Sequence, residues 1–158
     1  MEHAGERRIE HIKKGFESMS AKEYLRQIYC IDRKVKRIQE RRDDLRAEMY
    51  AISSPSGKMD ADKVQTSLSG DSMLRLIAKV EDAESDLVAE MDRLLDLKEK
   101  ISRQIEALDD ERYKTLLLKR YVMLKSWEQI AVEMGYRIKW VYDLHGRALR
   151  AFAEKWGI

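Results

Sequence analysis

Hydrophobic residues recur every three or four positions along most of the chain, which is the spacing of an amphipathic helix and not of a strand. In the first half of the chain the steps alternate between four and three, and Arg42 occupies the one position without an apolar residue. The apolar positions are Tyr24, Ile28, Ile31, Val35, Ile38, Leu45, Met49 and Ile52. A repeat of 3.5 residues sustained in this way indicates the seam of a coiled coil.

The same spacing returns further along the chain, with interruptions at Glu84 and Lys98. Its apolar positions are Met73, Ile77, Val80, Leu87, Met91, Leu94, Ile101, Ile105 and Leu108. The polar stretch between the two series, residues 53–72, is predicted to be a loop. We therefore predict a long antiparallel coiled-coil hairpin over residues 19–108, in which Arg42 faces Glu84. The same seams are also compatible with pairing of two chains, so a homodimer through the coiled coil remains open.

Capping residues predict where the helices begin. Ser20 and Glu23 have the spacing of a capping box, so a stable helix is expected to start there, after a charged and weakly ordered segment at residues 1–18. Asp109 or Asp110 is the expected cap of the helix that opens a C-terminal domain at residues 109–158.

Residues 126–149 have the pattern of two helices joined by a tight turn. Ser126 and Gln129 form a second potential capping box, and Gly135 is suited to end the first helix in a left-handed conformation. The apolar stripe of the second helix is Val141, Leu144, Ala148 and Leu149. A short helix packed across a longer one, with cationic residues near the start of the longer one, is the geometry of a helix-turn-helix in a DNA major groove.

Charge is distributed unevenly. The chain has 158 residues and a net charge of only +2, but after Glu111 it contains ten Lys or Arg residues against four acidic ones. Residues 53–108 are acidic, with twelve acids against eight bases. A locally cationic C-terminal end favours a polyanionic partner such as duplex DNA.

The C-terminal end contains five sequence pieces in a fixed order and spacing: Leu108-x-x-Glu111-Arg112, Leu118-Lys119-Arg120-Tyr121-Val122, Ser126-Trp127-Glu128-Gln129-Ile130-Ala131, Met134-Gly135-Tyr136 and Val141-x-x-Leu144-His145-x-Arg147-Ala148-Leu149. Together they resemble region 4 of the sigma-70 family, which reads the promoter element around minus 35. Nothing in the chain resembles sigma region 2. As a whole the chain resembles small phage and prophage proteins that place a region 4-like module behind a coiled coil and are regarded as transcriptional regulators.

The resemblance implies an all-α, non-enzymatic DNA-binding regulator with RNA polymerase as a further potential partner, since region 4 contacts the flap of the beta subunit. It also implies that the start of the last helix enters the major groove. The residues expected at base edges are Arg137, Ile138, Lys139, Tyr142 and Asp143, and those expected at phosphates are Arg147, Lys125, Lys119 and Lys114.

Other chemistry has little support in the sequence. His3, His11 and His145 have no metal-ligand spacing with one another or with Cys30, and no catalytic or phosphate-loop motif is present. We expect no metal, no cofactor, no membrane span and a cytoplasmic location, the last because a single Cys fits a reducing compartment. His145 is expected to bond locally or to lie near the DNA backbone, and Trp140 is expected to pack.

Two other functions remain open at this stage. A phage terminase small subunit also joins a helix-turn-helix to a coiled coil, but it packages DNA and usually forms a ring. Alternatively, the chain binds RNA polymerase without reading a DNA sequence.

Overall fold

The computed structural model describes residues 19–53 and 70–158, and every regular element within them is helical. In chain order the elements are α1 (Ala21–Ser53), α2 (Gly70–Glu106), α3 (Glu111–Leu117), a π-helical segment (Leu118–Val122), α4 (Trp127–Met134) and α5 (Ile138–Trp156). No strand occurs among the described residues, which confirms the prediction of an all-α fold.

Two predictions fall wholly or partly outside the described residues. The charged segment at residues 1–18 lies outside them, as do residues 54–69 of the predicted loop. The described ends of that loop are helical, because Ser53 is the last residue of α1 and α2 already begins at Gly70.

The helices begin at the predicted capping residues. The Ser20 backbone N–H donates to Glu23 Oε2 at 2.9 Å, and the Glu23 backbone N–H donates to Ser20 Oγ at 3.3 Å, so the first capping box is formed. Asp110 caps α3 by accepting the Arg112 backbone N–H at 2.8 Å. Each bond satisfies a backbone donor that the helix itself leaves without a partner.

The described residues form two compact units. Residues 31–94, from α1 and α2, make up the two-helix unit. Residues 19–30 and 95–158 make up the C-terminal unit, which therefore includes the first turns of α1 and the last turns of α2 together with α3, α4 and α5.

In the two-helix unit, α1 and α2 run in opposite directions. Lys34 Nζ lies 2.5 Å from Glu90 Oε1, and Arg46 pairs with Glu84, so residue numbers rise along one helix as they fall along the other. The predicted pair of Arg42 with Glu84 is wrong. Glu84 is bound by Arg46, which is one helical turn further along α1, and Arg42 pairs with its neighbour Asp43 at 2.6 Å.

The buried face of α2 has the predicted period but a different phase. Its buried residues within the two-helix unit are Leu76, Val80, Ala83, Leu87, Glu90 and Leu94. Val80, Leu87 and Leu94 were predicted, but Ile77 and Met91 are 37% and 42% exposed. The residues one position earlier, Leu76, Ala83 and Glu90, are buried in place of Ile77, Glu84 and Met91, and the carboxylate of Glu90 is held by Lys34 and Arg93.

The core of the C-terminal unit combines the short helices with the ends of the long ones. Its fully buried side chains are Leu25, Ile28, Ile101, Ile105, Leu116, Leu117, Ile130, Val141, Leu144 and Phe152. Tyr24 of α1 contacts the ring of Phe152 with centroids 6.2 Å apart, and its hydroxyl donates to Gln104 Oε1 at 2.8 Å. Residues that the sequence assigns to the hairpin therefore also complete the core beneath α5.

The π-helical segment was not predicted from the sequence. In it the Met123 backbone N–H donates to the Leu118 carbonyl at 2.9 Å, and the chain then turns through Leu124, whose φ of 56° is left-handed. The Arg120 guanidinium fixes this turn, because it donates to the Lys125 carbonyl at 2.8 Å and lies 4.4 Å from the centroid of the Trp127 ring. The turn sets the point at which α4 begins.

Candidate nucleic-acid interface

α4 and α5 are joined by a tight turn whose ends are fixed by side-chain and backbone bonds. The Gln129 backbone N–H donates to Ser126 Oγ at 3.2 Å, and the Ser126 backbone N–H donates to Gln129 Oε1 at 3.0 Å. Gly135 ends α4 with φ 68° and ψ 30°, and the Tyr136 backbone N–H donates to the Ala131 carbonyl at 2.9 Å. Both predicted ends of α4 are present, so the angle at which α5 leaves the turn is well defined.

α5 buries one face and exposes the other. The buried residues are Val141, Leu144, His145, Ala148 and Phe152. Leu149, which was predicted to belong to this stripe, is only half-buried, because the stripe continues through Phe152 at the helical spacing.

All six candidate residues in or next to the first half of α5 are exposed, which is what contact with another molecule requires. They are Arg137, Ile138, Lys139, Tyr142, Asp143 and Arg147. Because Val141 and Leu144 on the same helix are completely buried, the exposed residues lie on the side of α5 away from the core.

The N-terminus of α5 lacks a side-chain cap. Arg137 occupies the N-cap position in extended conformation, and its side chain makes no capping hydrogen bond. Backbone N–H groups of the first turn therefore remain free of a cap, and they carry the partial positive charge of a helix N-terminus. Together with the Arg137 and Lys139 side chains, they make this end of the helix attractive to an anion.

Aromatic contacts hold several of these residues in place. The exposed Tyr142 packs edge-on against Trp127 with centroids 5.2 Å apart. Trp140 is half-buried, lies 4.0 Å from the Tyr136 ring by centroid, and has the Arg147 guanidinium 5.9 Å from its own centroid. Trp140 of α5 therefore packs, as expected, against Tyr136 of the turn.

The lysines expected at phosphates are each engaged by a carboxylate. Lys119 and Lys125 both bind Glu133, with Lys125 Nζ 2.5 Å from Oε1, and their pairing holds the pKa of Glu133 below its usual range. Lys114 Nζ lies 2.5 Å from Glu111 Oε1, and this bond raises the lysine pKa. The structure brings Lys119 and Lys125 together around Glu133, whereas Lys114 is paired separately.

His145 is a core residue that was assigned wrongly to a local bond or to the DNA backbone. It is only 9% exposed, and its Nε2 lies 2.9 Å from the Tyr121 hydroxyl, twenty-four residues away. Its ring also contacts Trp127 edge-on at 4.8 Å. Burial lowers the pKa of His145 to about 4, so the imidazole is neutral at pH 7. Its position beside Leu144, four residues after Val141 on the apolar stripe, is the sequence signal for this burial.

The described residues lack a metal-binding cluster and a membrane-spanning helix. Within residues 19–53 and 70–158, no group of three or more His, Cys, Asp or Glu side chains is arranged to hold a metal ion. Among the described helices, none combines the length and the apolar character needed to cross a bilayer.

Comparisons with known protein families, with curated proteins and with solved structures give no match to this chain.

Proposed function

We propose that the protein is a DNA-binding transcriptional regulator that reads duplex DNA through the first half of α5. The observation that carries the proposal is the exposed, cationic start of a helix whose direction is fixed by a capped helix and a left-handed glycine turn. This arrangement is what a major-groove reading helix requires.

The side chains on this surface have the appropriate chemistry. Arg137 and Lys139 carry the donors that recognise guanine edges or phosphates, and Tyr142 adds a hydroxyl and an apolar ring. Tyr142 and Arg147 are supported by Trp127 and Trp140, so part of their conformational freedom is already lost before any DNA binds. Because Lys119 and Lys125 share Glu133, their contribution to phosphate binding is expected to be smaller than that of Arg137 and Lys139.

The same proposal extends to the fold. We regard α1 and α2 as an antiparallel coiled-coil hairpin, which the Lys34–Glu90 and Arg46–Glu84 pairs support, and α3 to α5 as a sigma region 4-like helix-turn-helix domain. The motif resemblance further predicts a phage or prophage origin and contact with RNA polymerase. Dimerisation through the coiled coil stays a prediction that the mass in solution would test.

Replacement of Arg137 and Lys139 by Ala tests the proposal. Wild-type protein is used to select bound sequences from a pool of random 30-base-pair duplexes, and its affinity for the selected duplex is measured by fluorescence anisotropy. If each side chain makes a good contact to a base or phosphate, the double variant should bind at least tenfold more weakly, since one such contact contributes roughly 1–3 kcal/mol.

The matched control removes two cations from the other end of the same helix. Arg150 and Lys155 are both exposed, and their replacement by Ala should leave the selected sequence and the affinity almost unchanged. Equal loss of binding in both double variants would mean that charge alone matters and that α5 does not read DNA through its first half.

The two other functions that the sequence leaves open give different results in the same experiments. A terminase small subunit-like protein would form a ring of eight or more copies, which multi-angle light scattering would detect. A protein that only occupies RNA polymerase would select no duplex at all and would still be recovered with polymerase.

A further inference from the structure

A cleft of about 500 Å³ lies in the C-terminal unit, between the first turns of α1 and the turn that precedes α4. The described residues that line it include Lys22, Arg26, Arg120, Tyr121, Ser126 and Trp127. Among the described residues that line the cleft none is acidic, although the described part of the chain contains many acids. The cleft is therefore locally cationic in a protein whose overall charge is close to balanced.

The cations of the cleft come from separate parts of the sequence. Lys22 and Arg26 lie one turn apart on α1 and are exposed, whereas Arg120 belongs to the π-helical segment. Arg120 cannot swing away freely, since it is bonded to the Lys125 carbonyl and stacked on Trp127. Among the described carboxylates, Glu23 interacts with Arg26 and Glu128 with Arg120, but Glu23 is also bonded to Ser20, and neither carboxylate lines the cleft.

The same cations act on two buried residues, Tyr121, which lines the cleft, and His145, which is bonded to Tyr121. Burial raises the pKa of Tyr121 to about 12, and the positive charges of Arg120 and Arg26 oppose that rise. Lys22 and Arg120 add to the burial that lowers the pKa of His145. Lys22, Arg26 and Arg120 all line the same cleft, so each of them can face an anion that is bound within it.

The cleft favours a phosphate group and not a nucleotide base. One face of Trp127 is covered by Arg120, and its ring is met edge-on by Tyr142 and His145, so little of the indole is left for stacking. What remains available is charge and hydrogen-bond donors, which suit a tetrahedral anion.

The cleft and the exposed side of α5 have one residue in common. Trp127 is shared, because it lines the cleft and contacts Tyr142 on the exposed side of α5. One side chain therefore connects the lining of the cleft with the exposed side of α5.

We propose that this cleft binds a backbone phosphate of the DNA duplex whose bases α5 reads, so that Lys22 and Arg26 of α1 belong to the DNA interface. The inference rests on the proposed function, and it adds a contact from a helix outside the helix-turn-helix. Each phosphate of B-form DNA that a protein neutralises adds about 0.9 to the slope of log Kd against log salt concentration.

The test is the double variant Lys22→Ala/Arg26→Ala with the selected, fluorescein-labelled 30-base-pair duplex, measured between 50 and 200 mM potassium chloride. Its Kd should rise by roughly three- to tenfold, and the slope of log Kd against log salt should fall by about 1. Arg37→Ala/Arg41→Ala is the matched control, since it removes two exposed cations with the same spacing from the same helix in the two-helix unit. Circular dichroism melting establishes that both double variants are folded.

The outcomes separate this inference from the proposed function. Unchanged affinity and slope in Lys22→Ala/Arg26→Ala, with weakened binding in Arg137→Ala/Lys139→Ala, would overturn the cleft and keep the reading helix. The reverse pattern would show a DNA contact at the cleft, but it would overturn both the reading helix and the assignment of the cleft to a duplex that α5 reads. Equal losses in the Arg37→Ala/Arg41→Ala control would overturn the cleft, and failure of the wild type to bind any duplex would overturn both.

A second arm identifies the source of the phosphate. Inorganic phosphate is titrated into the wild-type protein while the Trp127 indole resonance is followed by NMR. A saturable shift with free phosphate, combined with unchanged DNA affinity in Lys22→Ala/Arg26→Ala, would assign the cleft to a free anion and contradict the proposal.

Discussion

Acid should destabilise the C-terminal unit through His145. The imidazole is buried against Tyr121 and Trp127, and burial lowers its pKa from 6.5 to about 4, with Lys22 and Arg120 acting in the same direction. In the unfolded chain the pKa returns to about 6.5. Between these two pKa values the unfolded state binds one more proton than the folded state. The contribution of His145 to the free energy of unfolding is therefore fully present above about pH 6.5 and is lost as the pH falls towards 4.

The size of the effect follows from the two pKa values. A histidine whose pKa falls from 6.5 to about 4 on folding lowers the free energy of unfolding by about 2 kcal/mol between pH 7 and pH 5. Urea denaturation at both pH values measures this loss for the wild type. His145→Gln keeps a hydrogen-bonding group near Tyr121 but does not titrate. Between pH 7 and pH 5 its free energy of unfolding should therefore fall by about 2 kcal/mol less than that of the wild type.

A second variant separates burial from hydrogen bonding as the cause. Tyr121→Phe removes the hydroxyl that lies 2.9 Å from His145 Nε2 but leaves the imidazole buried. Because burial is the largest cause of the shift, this variant should keep most of the pH dependence while being less stable at every pH. If wild type and His145→Gln show the same loss of stability between pH 7 and pH 5, the explanation by a buried neutral histidine is refuted.

Three further predictions concern the stability of the C-terminal unit, and urea denaturation at pH 7 measures all of them. Ser126→Ala removes the cap of α4 and should cost about 1 kcal/mol, so an unchanged unfolding midpoint would contradict the capping role. Gly135→Ala places a side chain at φ 68° and should lower the free energy of unfolding by about 1 kcal/mol. Gly146→Ala lies in the interior of α5 with open space around it and should raise the free energy of unfolding by up to about 1 kcal/mol. Changes of the same sign in the two variants would refute this contrast. Phe152→Ala should cost about 3–5 kcal/mol and Leu149→Ala clearly less, because only Phe152 is fully buried, and equal costs would argue for the stripe predicted from sequence.

Local signals in the sequence predicted the helix ends well. Ser20, Asp110, Ser126 and Gly135 each act through bonds within a few residues of themselves, so their positions identify the ends of helices without knowledge of the fold. The exposure of the candidate residues on α5 follows from the same logic, because an apolar stripe on one face leaves the other face outside.

Features that depend on distant parts of the chain were predicted less well. The period of the α2 stripe was right, but its phase was not, because the buried stripe includes Glu90, which is paired with Lys34 of α1, and no local pattern shows that a glutamate will be buried. Glu84 is paired with Arg46 and not with the predicted Arg42. A long arginine side chain reaches carboxylates on either side of its own helical turn, so the spacing alone does not identify the partner. The π-helical segment and the buried pair of Tyr121 and His145 are likewise set by tertiary packing.

The candidate site was predicted in part. The exposed residues of α5 could be named from the sequence, but the pairing of Lys119 and Lys125 with Glu133 could not, because Glu133 lies on a different helix. Lys22 and Arg26 were missed as candidates because they belong to α1, and only the folded C-terminal unit places them around a cleft with Arg120.

Photocrosslinking from α5 tests the central claim most directly. Ile138 is 39% exposed at the first position of α5, and its replacement by benzoyl-phenylalanine puts a reactive group where the bases are expected. Val88 in the two-helix unit is 60% exposed and serves as the matched site. With the selected duplex bound and illuminated, crosslinks to DNA should form from position 138 and not from position 88. Crosslinks from position 88 alone, or none from position 138 on a protein that is fully bound to DNA, would contradict the assignment of α5 as the reading helix.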